Sequence, residues 1–136
     1  MGLAALLFLE GHGMVTKREL LTGVVKFVKN EVIPHIGDRS LKMVVSAGIY
    51  AIDAKPDIAD SFFSNPLVAT ILQVEDGKYD VELVFKVLDN LVGEYGGIPI
   101  TIPPIKFITA TEHTLTFYGG DVAKLKEYVL KEESDA

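Results

Sequence analysis

Apolar residues recur at helical spacing over most of this chain, and the departures from that spacing mark where its architecture changes. Leu20, Leu21, Val24, Val25, Phe27, Val28 and Val32 form a broad stripe with Thr22, Lys26 and Lys29 opposite it, the pattern of a helix with one face on a core. Thr16-Lys17-Arg18-Glu19 ahead of it is a capping box, in which the threonine oxygen takes the third helical N–H and the glutamate reaches back. Pro34 disfavours helical geometry at Ile33, which predicts the end of this helix. Gly37-Asp38-Arg39-Ser40 reads as a turn and a second helix start. From Leu41 to Ala54 the chain is apolar nearly all round. A helix without a polar face is buried on most sides, so this segment is expected at the centre of the core or between subunits. Periodicity alone also permits a buried strand; the length and the alanines favour helix.

Pro56 suits a first helical position and predicts a short helix over Asp57 to Phe63; Asn65-Pro66 repeats the signal for Leu67 to Gln73. After a turn at Asp76-Gly77, Asp80 caps the clearest helix in the chain, with Val81, Val84, Phe85, Leu88, Leu91, Val92 and Tyr95 on one face. Gly96-Gly97 is its left-handed stop. Ile98-Pro99-Ile100-Thr101-Ile102-Pro103-Pro104 alternates too strictly, and holds too much proline, to be helix; it reads as an extended edge segment or strap. Ile105 to Thr109 and Thr114 to Tyr118 are expected to be the two strands of a hairpin. Gly119-Gly120-Asp121 then turns into a last helix carrying Val122, Leu125, Tyr128 and Val129. The fold class predicted is α+β, mainly α: four to five helices, a Pro-rich strap, a short β-hairpin and a C-terminal helix.

The 136 residues fit one domain. Residues 14–131 are expected to form it, with 132–136 a charged tail and 1–13 an appended leader or disordered arm. Gly2 to Leu9 is apolar but far short of the roughly 20 residues of a membrane span. A secretory signal's positive start and small-residue cleavage site are not evident either. No cysteine is present, which removes thiolate nucleophiles, redox pairs and most structural zinc sites.

Net charge is −6, from 13 basic and 19 acidic residues, and it is unevenly spread. Residues 15–42 hold six Lys/Arg against three acids, a local +3; residues 43–136 hold seven against fifteen, a local −8. An acidic whole repels phosphate backbones, so nucleic acid is an improbable partner, while copies of the chain complement one another in charge.

Candidate chemistry is sparse. Asp53, Asp57 and Asp60 would share one face of a continuous helix and could hold a hard cation, but Pro56 interrupts that helix and cap or surface roles explain them better. His35 and His113 stand in expected loops as possible general bases without a motif-borne nucleophile; Ser40, Ser46, Ser61 and Ser64 lack a nucleophile-elbow context. His12 falls in the leader. Tyr95-Gly96-Gly97 and Tyr118-Gly119-Gly120 look like phosphate-cradling turns. Asp121 would repel an anion, however, and no lysine-serine pair follows. No cofactor or metal is implied. The aromatics Phe27, Tyr50, Phe62, Phe63 and Phe85 sit at core spacing. Surplus apolar character is concentrated in the second helix and the strap, which makes Val45, Ile49, Ile52, Ile98, Ile100, Ile102 and Ile105 the candidate interface.

The order Tyr95-Gly96-Gly97, an Ile-Pro strap, a Thr-rich hairpin from Ile105 to Phe117, then Asp121-Val122 with Leu125 and Tyr128 resembles small uncharacterised proteins of Firmicutes prophages and mobile elements. The resemblance covers a third to a half of the chain and carries no catalytic residue. It implies an accessory or structural role, in the cytoplasm of a bacterial host or in a virion.

Three functions follow as expectations. The first is a non-enzymatic, self-associating module, a homo-oligomer open to other protein partners. The second is a small ligand-binding domain or enzyme with a pocket between helices and hairpin, Asp53, Asp57, His35 or His113 standing at its mouth. The third is a regulatory DNA-associated domain using Lys17, Arg18, Lys26 and Lys29 on one exposed face.

Overall fold

The computed structural model describes residues 13–59 and 77–135, with side chains through Glu132. It is mainly helical, with two small antiparallel two-stranded sheets. The helix expected over 57–63 falls mostly, and that over 67–73 wholly, outside the described residues, as do the leader and Asp60.

Strand β1 (Met14–Thr16) leads directly into α1 (Lys17–Phe27). Both halves of the capping box are formed: Glu19 N–H donates to Thr16 Oγ1 at 3.1 Å and Thr16 N–H to Glu19 Oε1 at 2.8 Å. The helix does not stop at Ile33. It widens into a π-helical turn over Val28–Val32 and tightens into a 3₁₀ turn over Ile33–His35. Ile33 keeps helical dihedrals in front of Pro34 (φ −56°, ψ −43°). The tight turn is closed by Ile36 N–H to the Ile33 carbonyl at 3.1 Å, a bond that asks no donor of the proline.

Helix α2 (Arg39–Ala54) is capped by Asp38, whose Oδ1 accepts Leu41 N–H at 2.8 Å. A 3₁₀ turn, Pro56–Ala59, follows. Helix α3 (Val81–Tyr95) starts from its Asp80 cap and stops at Gly96, which holds the left-handed conformation (φ 77°). Ahead of it, β2 (Lys78–Asp80) pairs with β1 in the register Val15↔Tyr79, a ladder that brings both side chains into the core. Three-residue strands this far apart in sequence carry no periodic signal. Helix α4 (Gly119–Asp135) opens with Tyr118 N–H donating to Asp121 Oδ2 at 2.8 Å.

The core is shared by β1, β2, α1, α3 and α4: Val15, Leu20, Tyr79, Val81, Val84, Phe85, Val122 and Val129, with Leu88, Ile98 and Leu125 against its edge. Its closest approach is between α1 and α4. A Cβ placed on Gly23 would lie 2.8 Å from the Val129 Cα, so only glycine fits there. Helix α2 takes no part in this cluster. Only Leu41 and Ile49 of α2 are buried, while Met43 is 56% and Tyr50 61% exposed, so α2 is an outer wall of the chain and not its centre.

The second sheet corrects the expected hairpin. Its strands are β3 (Ile98–Ile102) and β4 (His113–Phe117), paired from Ile98↔Phe117 to Ile102↔His113. The Ile-Pro segment is therefore the first strand, and Ile105–Thr109 closes the turn. Pro99 is tolerated because both strands of a two-stranded sheet are edges. The 105–109 stretch cannot extend because Phe107 stands at φ 69°, a left-handed conformation costing a bulky residue about 1–2 kcal/mol.

Gly23→Ala should cost about 2–3 kcal/mol by forcing α1 off α4. Gly48→Ala, where a Cβ meets open space within α2, should instead stabilise by up to about 1 kcal/mol. Urea unfolding midpoints of the two variants would separate in opposite directions from the parent; equal midpoints would contradict the close helix contact.

Candidate functional site

Spacing decides which apolar side chains remain available once the core is filled. On α2, Val45, Ile49 and Ile52 fall at i, i+4 and i+7, one face of the helix. On β3, Ile98, Ile100 and Ile102 fall at i, i+2 and i+4, one face of the strand. The fold sets these two stripes on one cleft of about 470 Å³. Val24, Phe27, Val28 and Val32 from α1 and its π turn form another wall, with Leu115 and Phe117 from β4 and Leu88, Val122 and Leu125 from α3 and α4. Among the described residues, Asp121 is the only ionisable side chain that lines it.

Six of the seven candidate interface residues thus share one cleft: Val45, Ile49, Ile52, Ile98, Ile100 and Ile102. Ile105 is not among its lining residues; its backbone closes the hairpin turn, accepting Thr109 N–H at 3.0 Å. The cleft wall contributed by β4 and the π turn was not legible in the sequence. Val28 and Val32 read as ordinary stripe positions, and only the π turn re-aims them.

The cleft is built around an aromatic tier. The Phe27 ring lies 6.4 Å from that of Phe117 and 6.0 Å, edge-on, from that of Tyr128. Such pairs add about 0.5–1.5 kcal/mol to the burial of their area. Tyr128 Oη donates to Glu31 Oε2 at 2.6 Å, tying α4 to the π turn. That bond, with burial second, raises the Tyr128 phenol above its ordinary 10.0, against smaller opposing effects of Asn30 and Lys124. At the far end of α2, Lys29 Nζ pairs with Asp53 Oδ2 at 2.8 Å and lies 4.6 Å from the centre of the Tyr50 ring. This pair is partly solvent-exposed, and exposed pairs contribute about 0–1 kcal/mol, so packing rather than charge holds α2 in place.

The polar candidates are spread over the molecule. Asp53 is committed to Lys29 and Asp57 is exposed on the turn after α2. His113 Nε2 sits 3.1 Å from Thr109 Oγ1 and 3.3 Å from Thr111 Oγ1, at the turn end of the hairpin. His35 lines a smaller depression of about 290 Å³ with Glu31, Asp38 and Asp121. Those carboxylates already serve the fold: Glu31 holds Tyr128, Asp38 caps α2, and Asp121 holds Tyr118 N–H. Among the described residues no group of three His, Asp or Glu is placed to hold a metal ion.

On the basic first helix, Lys26 is paired with Glu132 and Lys29 with Asp53. These pairings within the chain take up positive charge that a phosphate backbone would use. Among the described residues no helix is long and apolar enough to cross a membrane. In comparison with known proteins, the chain matches no protein-family model, no curated protein and no solved structure.

The Tyr128–Glu31 bond yields a pH dependence of definite sign. Folding favours the neutral phenol, so this contribution is fully present below about pH 10, the unfolded value, and is lost as pH rises through the higher folded value. Thermal melts from neutral to strongly alkaline pH should show the parent losing more stability over that window than Tyr128→Phe does. Parallel pH profiles would rule out the bond as a contributor.

Proposed function

We propose that this chain is a non-enzymatic structural or interaction protein that associates with copies of itself through the apolar cleft between α2 and the β3–β4 hairpin. The observation carrying this reading is the cleft: about 470 Å³, open, and apolar apart from Asp121. Contiguous apolar surface on a folded chain is where partners dock. Helix α2 points the same way. Its sequence is that of a helix buried on most sides, yet alone the chain leaves Met43 and Tyr50 more than half exposed. This exposure supports the subunit boundary over the core centre as the placement of such a helix.

The uneven charge supports assembly too, the basic segment 15–42 of one copy complementing the acidic remainder of another. The Gly-Gly, Ile-Pro, Thr-rich and Asp-Val order of the C-terminal part adds the setting: an accessory or structural protein of a prophage or mobile element, acting in a bacterial cytoplasm or in a virion.

One observation favours a second reading. A cleft of this volume lies within the range of small-molecule sites, about 300–1,000 Å³, which would make the chain a binding domain for an apolar ligand. Such sites orient their ligand with a few convergent polar groups. Among the described residues the cleft offers Asp121, one oxygen of which already holds Tyr118 N–H. Self-association, which needs area more than orientation, fits the lining better.

Light scattering across the micromolar range should give a mass above that of one chain. Val45→Asp places a charge on the outer helix, in the apolar wall, and should raise the dissociation constant about a hundredfold while circular dichroism is unchanged. A strict monomer for the parent chain at every concentration would reject the reading. A monomer that takes up an apolar fluorescent probe, with Val45→Asp abolishing uptake, would favour the ligand site.

A further inference from the structure

Beyond the cleft, one feature of the fold goes unused by a single copy. Phe107, at the tip of the β3–β4 hairpin, is 96% exposed and stands at φ 69°, the one non-glycine residue with positive φ among the described residues. An aromatic side chain gains nothing from either condition in an isolated chain, since both the left-handed backbone and the hydrated ring are unfavourable. Yet the tip is built to hold it there. Ile108 and Thr109 N–H both donate to the Ile105 carbonyl, at 2.9 and 3.0 Å, and Ile105 N–H donates to Thr109 O at 3.2 Å. The buried Thr109 hydroxyl donates to Thr111 O at 3.0 Å and lies 3.1 Å from His113 Nε2. Pro103 and Pro104 stiffen the approach to the turn. The tip is thus a fixed knob, with Ile108 beside the ring and Lys106 Nζ 5.2 Å from its centre.

Knob and cleft match in size and in charge. A dry cavity of roughly 150 Å³ already accepts benzene. About 470 Å³ leaves room for the Phe107 ring and a branched neighbour. The tip carries one cation, Lys106; the cleft lining carries one anion, Asp121. Phe107 does not line the cleft of its own chain, whose wall is the other end of the same hairpin.

We propose that the hairpin tip Lys106–Ile108 of one copy inserts into the α2–hairpin cleft of a second, Phe107 filling the apolar space and Lys106 facing Asp121. The inference rests on the self-association reading and specifies its geometry. Tip and cleft are different surfaces, so each copy gives a tip and accepts another; the contact closes as a reciprocal pair or a ring, or runs on as a filament.

Two variants test this without threatening the fold. Phe107→Asn keeps a residue that accepts the left-handed turn and removes the knob. Gly48→Phe fills the cleft from a position where a Cβ meets nothing within 4 Å. Each alone should run as a monomer in light scattering, with unchanged circular dichroism. Mixed, they should form a one-to-one pair and nothing larger, because the Gly48→Phe chain keeps its tip and the Phe107→Asn chain keeps its cleft. A parent that assembles while Phe107→Asn assembles equally well would overturn the tip-in-cleft contact and leave self-association standing. So would a mixture that stays monomeric. A parent that is monomeric throughout overturns both.

Discussion

The contact between α1 and α4 at Gly23 governs the rest of the arrangement. With the Val129 backbone where the Gly23 side chain would otherwise begin, these helices approach closely enough for Val15, Leu20, Phe85, Val122 and Val129 to close into one core. Helix α2 adds no side chain to this cluster, which α1, α3, α4 and the β1–β2 ladder share. It is held at the periphery by its Asp38 cap, by Ile49 and by an exposed ion pair from Lys29. A tight core thus produces an unfilled margin.

That margin is what makes the molecule interesting. The α2 face and the β3 face are both apolar by spacing, yet neither is consumed in closing the other, and the π turn adds Val28 and Val32 to the gap. The polar groups nearby are tied up in holding the walls: Glu31 with Tyr128, Asp38 at the α2 cap, Asp121 at the α4 start. The described lining is therefore apolar apart from Asp121. Phe107, at 96% the most exposed of the large apolar side chains among the described residues, stands on a turn that its own hydrogen bonds hold.

Much of the local structure was legible because it depends on neighbours in sequence. The Thr16/Glu19 capping box, the Asp38 and Asp80 caps, the Gly96 stop and the α3 stripe involve residues three or four apart, and they stand where the spacing puts them. The hairpin shows where local reading ran out. Ile105 to Thr109 has strand-like composition, but which two segments pair is settled by matching Ile98, Ile100 and Ile102 to Leu115 and Phe117 across the sheet, and by the backbone of Phe107. Pro34 does mark the end of the helical run, which closes at His35, but not a break at Ile33, because a π turn followed by a 3₁₀ turn carries helical geometry through it without needing the missing N–H.

What the sequence alone determined is the inventory: which stretches are helical, where they are capped, and that α2 and the Ile-Pro strand carry apolar stripes at helix and strand spacing. Tertiary structure alone decided that the two stripes share one cleft, that Ile105 stays out of it, and that Asp53, Asp57, His35 and His113 are not gathered at its mouth. The reason is physical. Helix spacing and caps are set by bonds within a turn or two of chain, whereas the meeting of two apolar faces depends on which helices pack first and most closely. Here that is settled by one glycine on α1 against the backbone of α4.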